Sequence, residues 1–362
     1  MKIYLVHPGY VWGSRPISES AADALRALGC EVVALDLHRW RAVADAAVKG
    51  LASAGLGGGY PGLLEQLACE RIPLRVIEEE PDLFLAVHGA MVPPHIVAAV
   101  RKLGVPTAVW LLDDPHELDL SARYAACYDI VFTNDRSSVQ THRRFGLDPE
   151  SVHYLPTGCD VELYAPAAEP EPAYASDVLF LGSGFPERVA FLESCEPFLR
   201  DRDFRLVGLW TNVPRDSWLR RHVVEGVVPP REAARWYRNA KIVLNLHRDG
   251  TGLSSGSNLR AVAAHAPNPR CFEAAACGAF VLSDDRRPGL RECFRVPEEM
   301  PVFKTKEELA HLLDHYLARP DERRAVSAAA MRRARTEHSY GRRMDSLLAG
   351  LDRVLLKKPL PA

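Results

Sequence analysis

The chain has 362 residues, 47% hydrophobic and 25% charged, with a formal net charge of −2 and a pI near 6.7. That length exceeds one ordinary core and points to about two domains. The composition is that of a water-soluble globular protein, and the near-neutral balance excludes a general nucleic-acid surface.

Met1–Val6 meets His7-Pro8-Gly9 too soon to be the apolar region of a signal peptide. No stretch has the apolar length of a membrane span. Eight cysteines are scattered without a C-x-x-C, and no histidine pair sits at zinc spacing. They read as reduced core residues of a cytoplasmic protein, with no bound metal expected. Arg and Lys on the C-terminal helices read as a solvated face and leave peripheral membrane association open. Oligomeric state is not legible.

Apolar strand-like runs alternate with amphipathic helical runs throughout, the pattern of an α/β protein with parallel sheets. In the first half, strands are predicted at Lys2–Val6, Glu31–Leu35, Asp82–Val87, Thr107–Leu112, Ile130–Thr133 and Val152–Leu155. Helices are predicted at Ser18–Leu28, Gly62–Leu67, Pro94–Leu103 and Ser137–Phe145, and Gly55–Gly59 reads as a loop. The Pro- and Ala-rich run from Tyr164 to Ala173 is the linker candidate. Beyond it, strands are predicted at Asp177–Leu181, Phe204–Leu209, Val223–Val227, Ile242–Leu246 and Phe280–Leu282. Helices follow at Arg188–Phe198, Pro230–Asn239, Pro269–Cys277, Lys306–Ala318, Asp321–Glu337 and Tyr340–Leu355. The expected division is a first Rossmann-like domain at 1–163, a linker at 164–175, a second Rossmann-like domain at 176–338 and a closing helix and tail at 339–362. Two such halves would face each other across a cleft, and ligands of open α/β sheets bind beyond the carboxyl ends of the strands.

Several of those ends are polar: His7, His88, Asp113-Asp114-Pro115-His116 and Asn134-Asp135 each follow a strand. Any one of them is explained by a turn or a helix cap. Together they place candidate acids and bases on one rim, with Asp113, His88 and Asp114 as catalytic candidates. In the second half, Gly182-Ser183-Gly184 lies between a strand and a helix near Arg188. Glycine backbone N–H groups and a helix N-terminus suit a phosphate, and Arg188 would add a charge-assisted bond. His247–Asn258 is a Gly/Ser loop, either a lid or a plain surface loop.

The most informative run is Asn268-Pro269-Arg270-Cys271-Phe272-Glu273-Ala274-Ala275-Ala276-Cys277-Gly278. It reads as a short helix with Asn268 as N-cap, Pro269 at the first position and Gly278 as the left-handed stop. Arg270 and Glu273 share a face of this small, apolar helix. Charges there need polar partners. Either they pair with each other, or Arg270 faces a diphosphate and Glu273 accepts two ribose hydroxyls.

This run, with Leu282-Ser283-Asp284 after it, resembles the donor-site motif of GT-B glycosyltransferases, and the CgeB-like spore-maturation group in particular. Asp177–Ser183, Tyr237-x-x-Ala240-Lys241-Ile242-Val243-Leu244-Asn245 and His338-Ser339-Tyr340-x-x-Arg343 are similar to the same group. The resemblance implies that Glu273 holds the donor ribose and that Arg270, Asn268 and Gly182–Gly184 lie near the diphosphate. It further implies a nucleobase near Val227–Pro229 and a last helix that crosses back to the first domain. The implied activity is metal-independent transfer of a sugar from a UDP-, GDP- or dTDP-linked donor to a saccharide, protein or small-molecule acceptor, with no other cofactor. One position departs from the wider retaining class: His265 stands where that class carries a Glu, eight residues before Glu273. Asp201-Arg202-Asp203 has the spelling of a metal-binding Asp-x-Asp but precedes its strand and reads as a loop. A sugar-nucleotide epimerase and a non-catalytic nucleotide-sugar-binding protein are the competing readings.

Overall fold

The structure is a computed structural model that describes residues 1–8, 13–37, 69–167, 169–249 and 257–355, with single positions between 43 and 53. The predicted Gly62–Leu67 helix, the Gly55–Gly59 loop and most of the Gly/Ser loop lie outside the described residues. The chain forms two units. One comprises Met1–Pro156, Ser255–Val262 and Gly341–Ala362, the other Thr157–Ser254 and Ala263–Tyr340.

Unit 1 runs β1 (Lys2–His7), α1 (Ser14–Ala27), β2 (Glu31–Asp36), α2 (Ile72–Glu79), β3 (Leu83–Val87), α3 (Pro94–Lys102), β4 (Thr107–Leu111), α4 (Leu118–Ala125), β5 (Ile130–Thr133), α5 (Arg136–Arg144) and β6 (Val152–Tyr154), helices being numbered among the described residues. Its sheet is parallel in the order β2-β1-β3-β4-β5-β6. Unit 2 runs β7 (Ser176–Leu181), α6 (Pro186–Ser194), α7 (Glu196–Leu199), β8 (Phe204–Gly208), β9 (Val223–Glu225), α8 (Pro230–Asn239), β10 (Ala240–Asn245), α9 (Pro269–Ala276), β11 (Val281–Asp284), α10 (Leu290–Cys293), β12 (Val302–Phe303), α11 (Lys306–Leu317) and α12 (Pro320–Glu337). Its sheet is also parallel, in the order β12-β11-β10-β7-β8-β9. A last helix, α13 (Tyr340–Leu355), returns to unit 1 from Gly341 onward.

The central strands are apolar on both faces because helices cover both, which is what a parallel α/β sheet requires. Val178 and Phe180 of β7 pack in one apolar cluster and Leu179 in another, one on each side of the sheet. Every predicted strand is present within two residues of its expected ends. The differences have local causes. α1 begins at Ser14, because Pro16 falls in the first turn, where its missing N–H costs nothing. The predicted Arg188–Phe198 helix divides at Cys195, since Pro197 has no N–H with which to continue the ladder. The short elements α2, α4, α10 and β12 carry too few residues for a clear period. The Pro/Ala-rich segment packs on unit 2: Arg238 Nε donates to the Ala165 carbonyl at 2.6 Å, Arg235 pairs with Glu171, and Tyr174 meets the Trp236 ring edge-on. No helix among the described residues is long and apolar enough to cross a membrane.

Asp114 binds three elements of unit 1 together. It is 3% exposed. Ser121 Oγ on α4 donates to it at 2.7 Å, Thr133 Oγ1 on β5 donates at 2.8 Å, and His142 Nε2 on α5 lies at 2.7 Å. A carboxyl enclosed by its own fold in this way has no face left for a substrate. The geometry corrects its sequence-based place among the catalytic candidates and makes it a structural centre. Removing it strands three buried polar groups, so Asp114→Ala is expected to cost about 3–5 kcal/mol in urea-unfolding stability. A loss below about 1 kcal/mol, the range of an ordinary surface change, would refute that role.

Candidate functional site

In unit 2 the strand order places β7 beside β10, while their connections leave toward opposite edges of the sheet. This is the switch point at which open α/β sheets bind ligands. Three segments meet there: Gly182-Ser183-Gly184 after β7, Asn245 to Arg248 at the end of β10, and the start of α9.

The glycines do not act as expected. The Gly182 N–H donates to the Val207 carbonyl and the Gly184 N–H to the Leu209 carbonyl, each at 2.8 Å, so neither is free for a phosphate. Their contribution is space. Gly182 has φ +152°, and a Cβ on it would come within 2.3 Å of the Arg270 guanidinium; one on Gly184 would lie 2.6 Å from the Trp210 ring. The Ser183 carbonyl accepts from Arg188 Nη1 at 3.0 Å.

Arg188 is only 6% exposed. Its guanidinium lies over Phe180 at 5.4 Å and Phe185 at 5.0 Å. Arg270 shares the Phe180 ring at 4.6 Å, and Arg248 shares the Phe185 ring at 4.6 Å. The Nε atoms of all three are buried without a hydrogen-bond partner. Among the described residues no ion pair joins a carboxylate to any of the three. Burial first, then the charges of Arg270 and Arg248, pull the Arg188 pKa well below its ordinary range. Three like charges held together by aromatic faces form a site built for an anion.

Asn268 stands at the N-cap position of α9, but its side chain does not cap the helix. Its Nδ2 donates instead to Asn245 Oδ1 at 2.9 Å, leaving its own Oδ1 buried and unpartnered. The helix ends as expected: Gly278 has φ +80°, and Ala279 N–H reaches the Ala274 carbonyl while Gly278 N–H reaches that of Ala275.

Arg270 and Glu273 do not pair with each other. Arg270 Nη1 donates to Asn245 Oδ1 at 2.8 Å, whereas Glu273 turns the other way, to Tyr237 Oη at 3.5 Å. Burial pushes the Glu273 carboxyl up to about 7, against the opposing pull of Arg270 and the hydroxyls of Tyr164 and Tyr237. Just past the end of β10, buried His247 places Nδ1 at 2.6 Å from Asp284 Oδ1, and its backbone N–H donates to Asp284 Oδ2 at 2.8 Å. Burial holds His247 below its usual pKa and so neutral, with Nδ1–H directed at Asp284.

In unit 1, His88 has φ +68° and follows β3. Its Nε2 lies 3.1 Å from Asp113 Oδ2 and 3.6 Å from Glu117 Oε2. Burial opposes the charged imidazole, but Asp113, Glu117 and Asp114 outweigh it and raise the His88 pKa. Two of the other rim residues have structural partners: Asp135 Oδ1 caps α5 through Ser137 N–H, and His7 Nδ1 meets Ser18 Oγ at 2.7 Å. Asp201-Arg202-Asp203 lies in the turn before β8, and His265 lies 3.2 Å from Glu292. Arg248 and Trp210 were not singled out from sequence: one sits at the edge of a Gly/Ser loop, the other in a loop with no motif.

A family profile described as glycosyl transferase-like matches residues 188–349. Over 256 residues the chain is 27% identical to the spore protein CgeB of Bacillus subtilis, covering 69% of this chain and 76% of that one. Its fold is similar to sucrose-phosphate synthase from Thermosynechococcus elongatus, with TM-score 0.68, 13% identity, and 99% and 100% of the two chains covered. It is also similar to HepE from Anabaena, solved in complex with UDP-glucose, with TM-score 0.61, 15% identity, and 98% and 100% covered. The chain has the GT-B fold, and residues 188–349 are similar to the glycosyl transferase-like family. The resemblance carried by the Asn268–Gly278 run agrees with these matches, and the profile begins at Arg188, inside the arginine cluster.

Glu273 gives unit 2 a measurable pH signature. Its carboxyl is protonated more readily in the folded protein than in the unfolded chain, where it would titrate near 4.5. Folding stability therefore falls as pH rises through the interval from 4.5 to about 7, and the loss is complete above it. Glu273→Gln should remove that fall, and the variant should gain on the wild type by about 2–3 kcal/mol between pH 5 and pH 8 in denaturant titrations. Parallel stability curves for the two proteins would show that the carboxyl is not held in an apolar setting.

Proposed function

We propose that the protein transfers a sugar, of the hexose type, from a nucleoside-diphosphate donor to an acceptor hydroxyl. The observation that carries this reading is the trio Arg188, Arg248 and Arg270, three guanidinium groups on two phenylalanine rings with an unpartnered Nε on each. A diphosphate would occupy these donors and relieve their mutual repulsion. As the sugar leaves, charge accumulates on that diphosphate, and fixed cations stabilise it without reorganisation. On this reading the arginines supply the neutralisation, so transfer proceeds without a divalent metal.

Asn268 and Arg270, oriented through Asn245, would border the diphosphate. Glu273, one helical turn on, would accept hydrogen bonds from two ribose hydroxyls. His88 and Asp113 would serve the acceptor, drawing the proton from its hydroxyl. The CgeB match and the UDP-glucose complex of HepE support a nucleotide-sugar donor. Eight free cysteines fit a reducing, cytoplasmic setting.

A thermal-shift panel of UDP-, GDP-, dTDP- and ADP-sugars tests the donor, because a ligand of the native state raises Tm. Arg270→Ala should weaken the responding ligand about 10- to 100-fold, the worth of a charge-assisted hydrogen bond. Unchanged affinity would overturn the placement of the diphosphate. Conversion of the donor without any acceptor would favour the epimerase, and binding with no turnover would favour a non-catalytic receptor.

A second prediction concerns protons. A ribose-bound Glu273 must be ionised, yet the free carboxyl titrates at about 7. Donor binding should thus release up to about one proton near pH 6 and close to none at pH 8. Calorimetry in buffers of different ionisation enthalpy reads this directly, and an equal proton count at both pH values would count against the ribose assignment.

A further inference from the structure

The cluster at the carboxyl ends of β3 and β4 has a geometry that acid–base chemistry does not require. We propose that His88, Asp113 and Glu117 form a binding site for a divalent cation, zinc being the best match. The three ligand atoms all lie within 4.8 Å of one another. His88 Nε2 stands 3.1 Å from Asp113 Oδ2 and 3.6 Å from Glu117 Oε2. Zinc binds imidazole nitrogen and carboxylate oxygen at about 2.0–2.2 Å in tetrahedral geometry, which separates two ligand atoms by roughly 3.4 Å. The two distances from His88 bracket that value, and the third pair lies within 4.8 Å, so the three atoms can close on one ion.

The site is held by the fold. The Glu117 N–H donates to the Asp113 carbonyl at 3.1 Å, a single turn that sets both carboxylates on one side. The His88 N–H donates to the Trp110 carbonyl, and the His88 carbonyl accepts from Tyr124 Oη, both at 2.8 Å. The His88 side chain is 8% exposed, while those of Asp113 and Glu117 are 41% and 32% exposed. The imidazole thus forms the floor of the cluster and the carboxylates its more exposed rim. A dication that displaces the imidazole proton would meet one nitrogen and two carboxylate oxygens, a donor set of the kind zinc takes. Because His88 and Asp113 are the proposed acceptor-side pair, the bound ion would inhibit transfer.

The test is zinc titration of the full chain by calorimetry, with cobalt substitution as the spectroscopic reporter. One equivalent should bind at micromolar affinity. His88→Ala should weaken it at least tenfold, Asp113→Asn and Glu117→Gln severalfold each, and the cobalt spectrum should lack a thiolate charge-transfer band. The surface pair His311→Ala and His315→Ala should leave affinity unchanged. Circular dichroism of Glu117→Gln guards against misfolding. No zinc binding below millimolar, equal affinity in His88→Ala or Glu117→Gln, or a sulfur-ligated spectrum overturns the proposal. Binding is read without donor, so Glu273→Ala, which disables the proposed donor site, should retain zinc; failure of the transferase reading is thereby kept separate.

Discussion

The side-chain amide of Asn245 governs the arrangement of the donor-side elements. It is fully buried at the end of β10. Its oxygen accepts from both Arg270 and Asn268, and its nitrogen donates to Ser283 Oγ at 2.9 Å. One group therefore ties β10, α9 and β11 together with every strong valence in use. It also decides the direction of Arg270. An i,i+3 arginine and glutamate on an isolated helix would drift together for about 0.2–0.5 kcal/mol. A buried hydrogen bond to a charged donor is worth about 1.5–3 kcal/mol, so the amide prevails and the two charges part. Glu273 is left beside Tyr164 and Tyr237, where burial raises its pKa and Arg270 only partly offsets the rise.

Crowding the three arginines has a cost that the aromatic rings offset. A guanidinium on a ring face gains about 0.5–2 kcal/mol, more as water is excluded. Phe180 and Phe185 each serve two of the cations. The glycines at 182 and 184 clear the volume that the Arg270 head and the Trp210 ring occupy. Small residues and large flat ones are thus two halves of one packing solution.

The strands were legible because a parallel sheet buries both faces and leaves near-continuous apolar runs. The α9 helix was legible because Asn268, Pro269 and Gly278 mark both ends. The site was only partly so. Glu273 and Arg270 stood out as charges on a small apolar helix, but nothing local shows that Asn245 would draw them apart. Arg248 lacked any motif, and its place is known only once β10 lies beside β7. The place of Gly182-Ser183-Gly184 between a strand and a helix suggests phosphate to the sequence reader, whereas the Gly182 and Gly184 N–H groups are spent on Val207 of β8 and on Leu209 just after it. His88, Asp113 and Glu117 share no short-range spacing, since the histidine comes from a different strand end. For Asp113 and Asp114, adjacent in sequence, opposite orientation on the backbone separates an open carboxylate from an enclosed one.

Unit 1 is assembled from separate stretches of chain. Met344, Leu347 and Leu351 of α13 are at most 1% exposed, and Gly350 packs against Phe132 of β5. All of unit 2 is therefore translated between the first six strands and the helix that covers them. During synthesis the nascent amino-terminal sheet must wait, with one apolar flank uncovered, until residues after 340 leave the ribosome. A fragment cut after Pro156 would carry that same bare flank, and it is the intact polypeptide, not its leading half, that can be handled as a foldable piece.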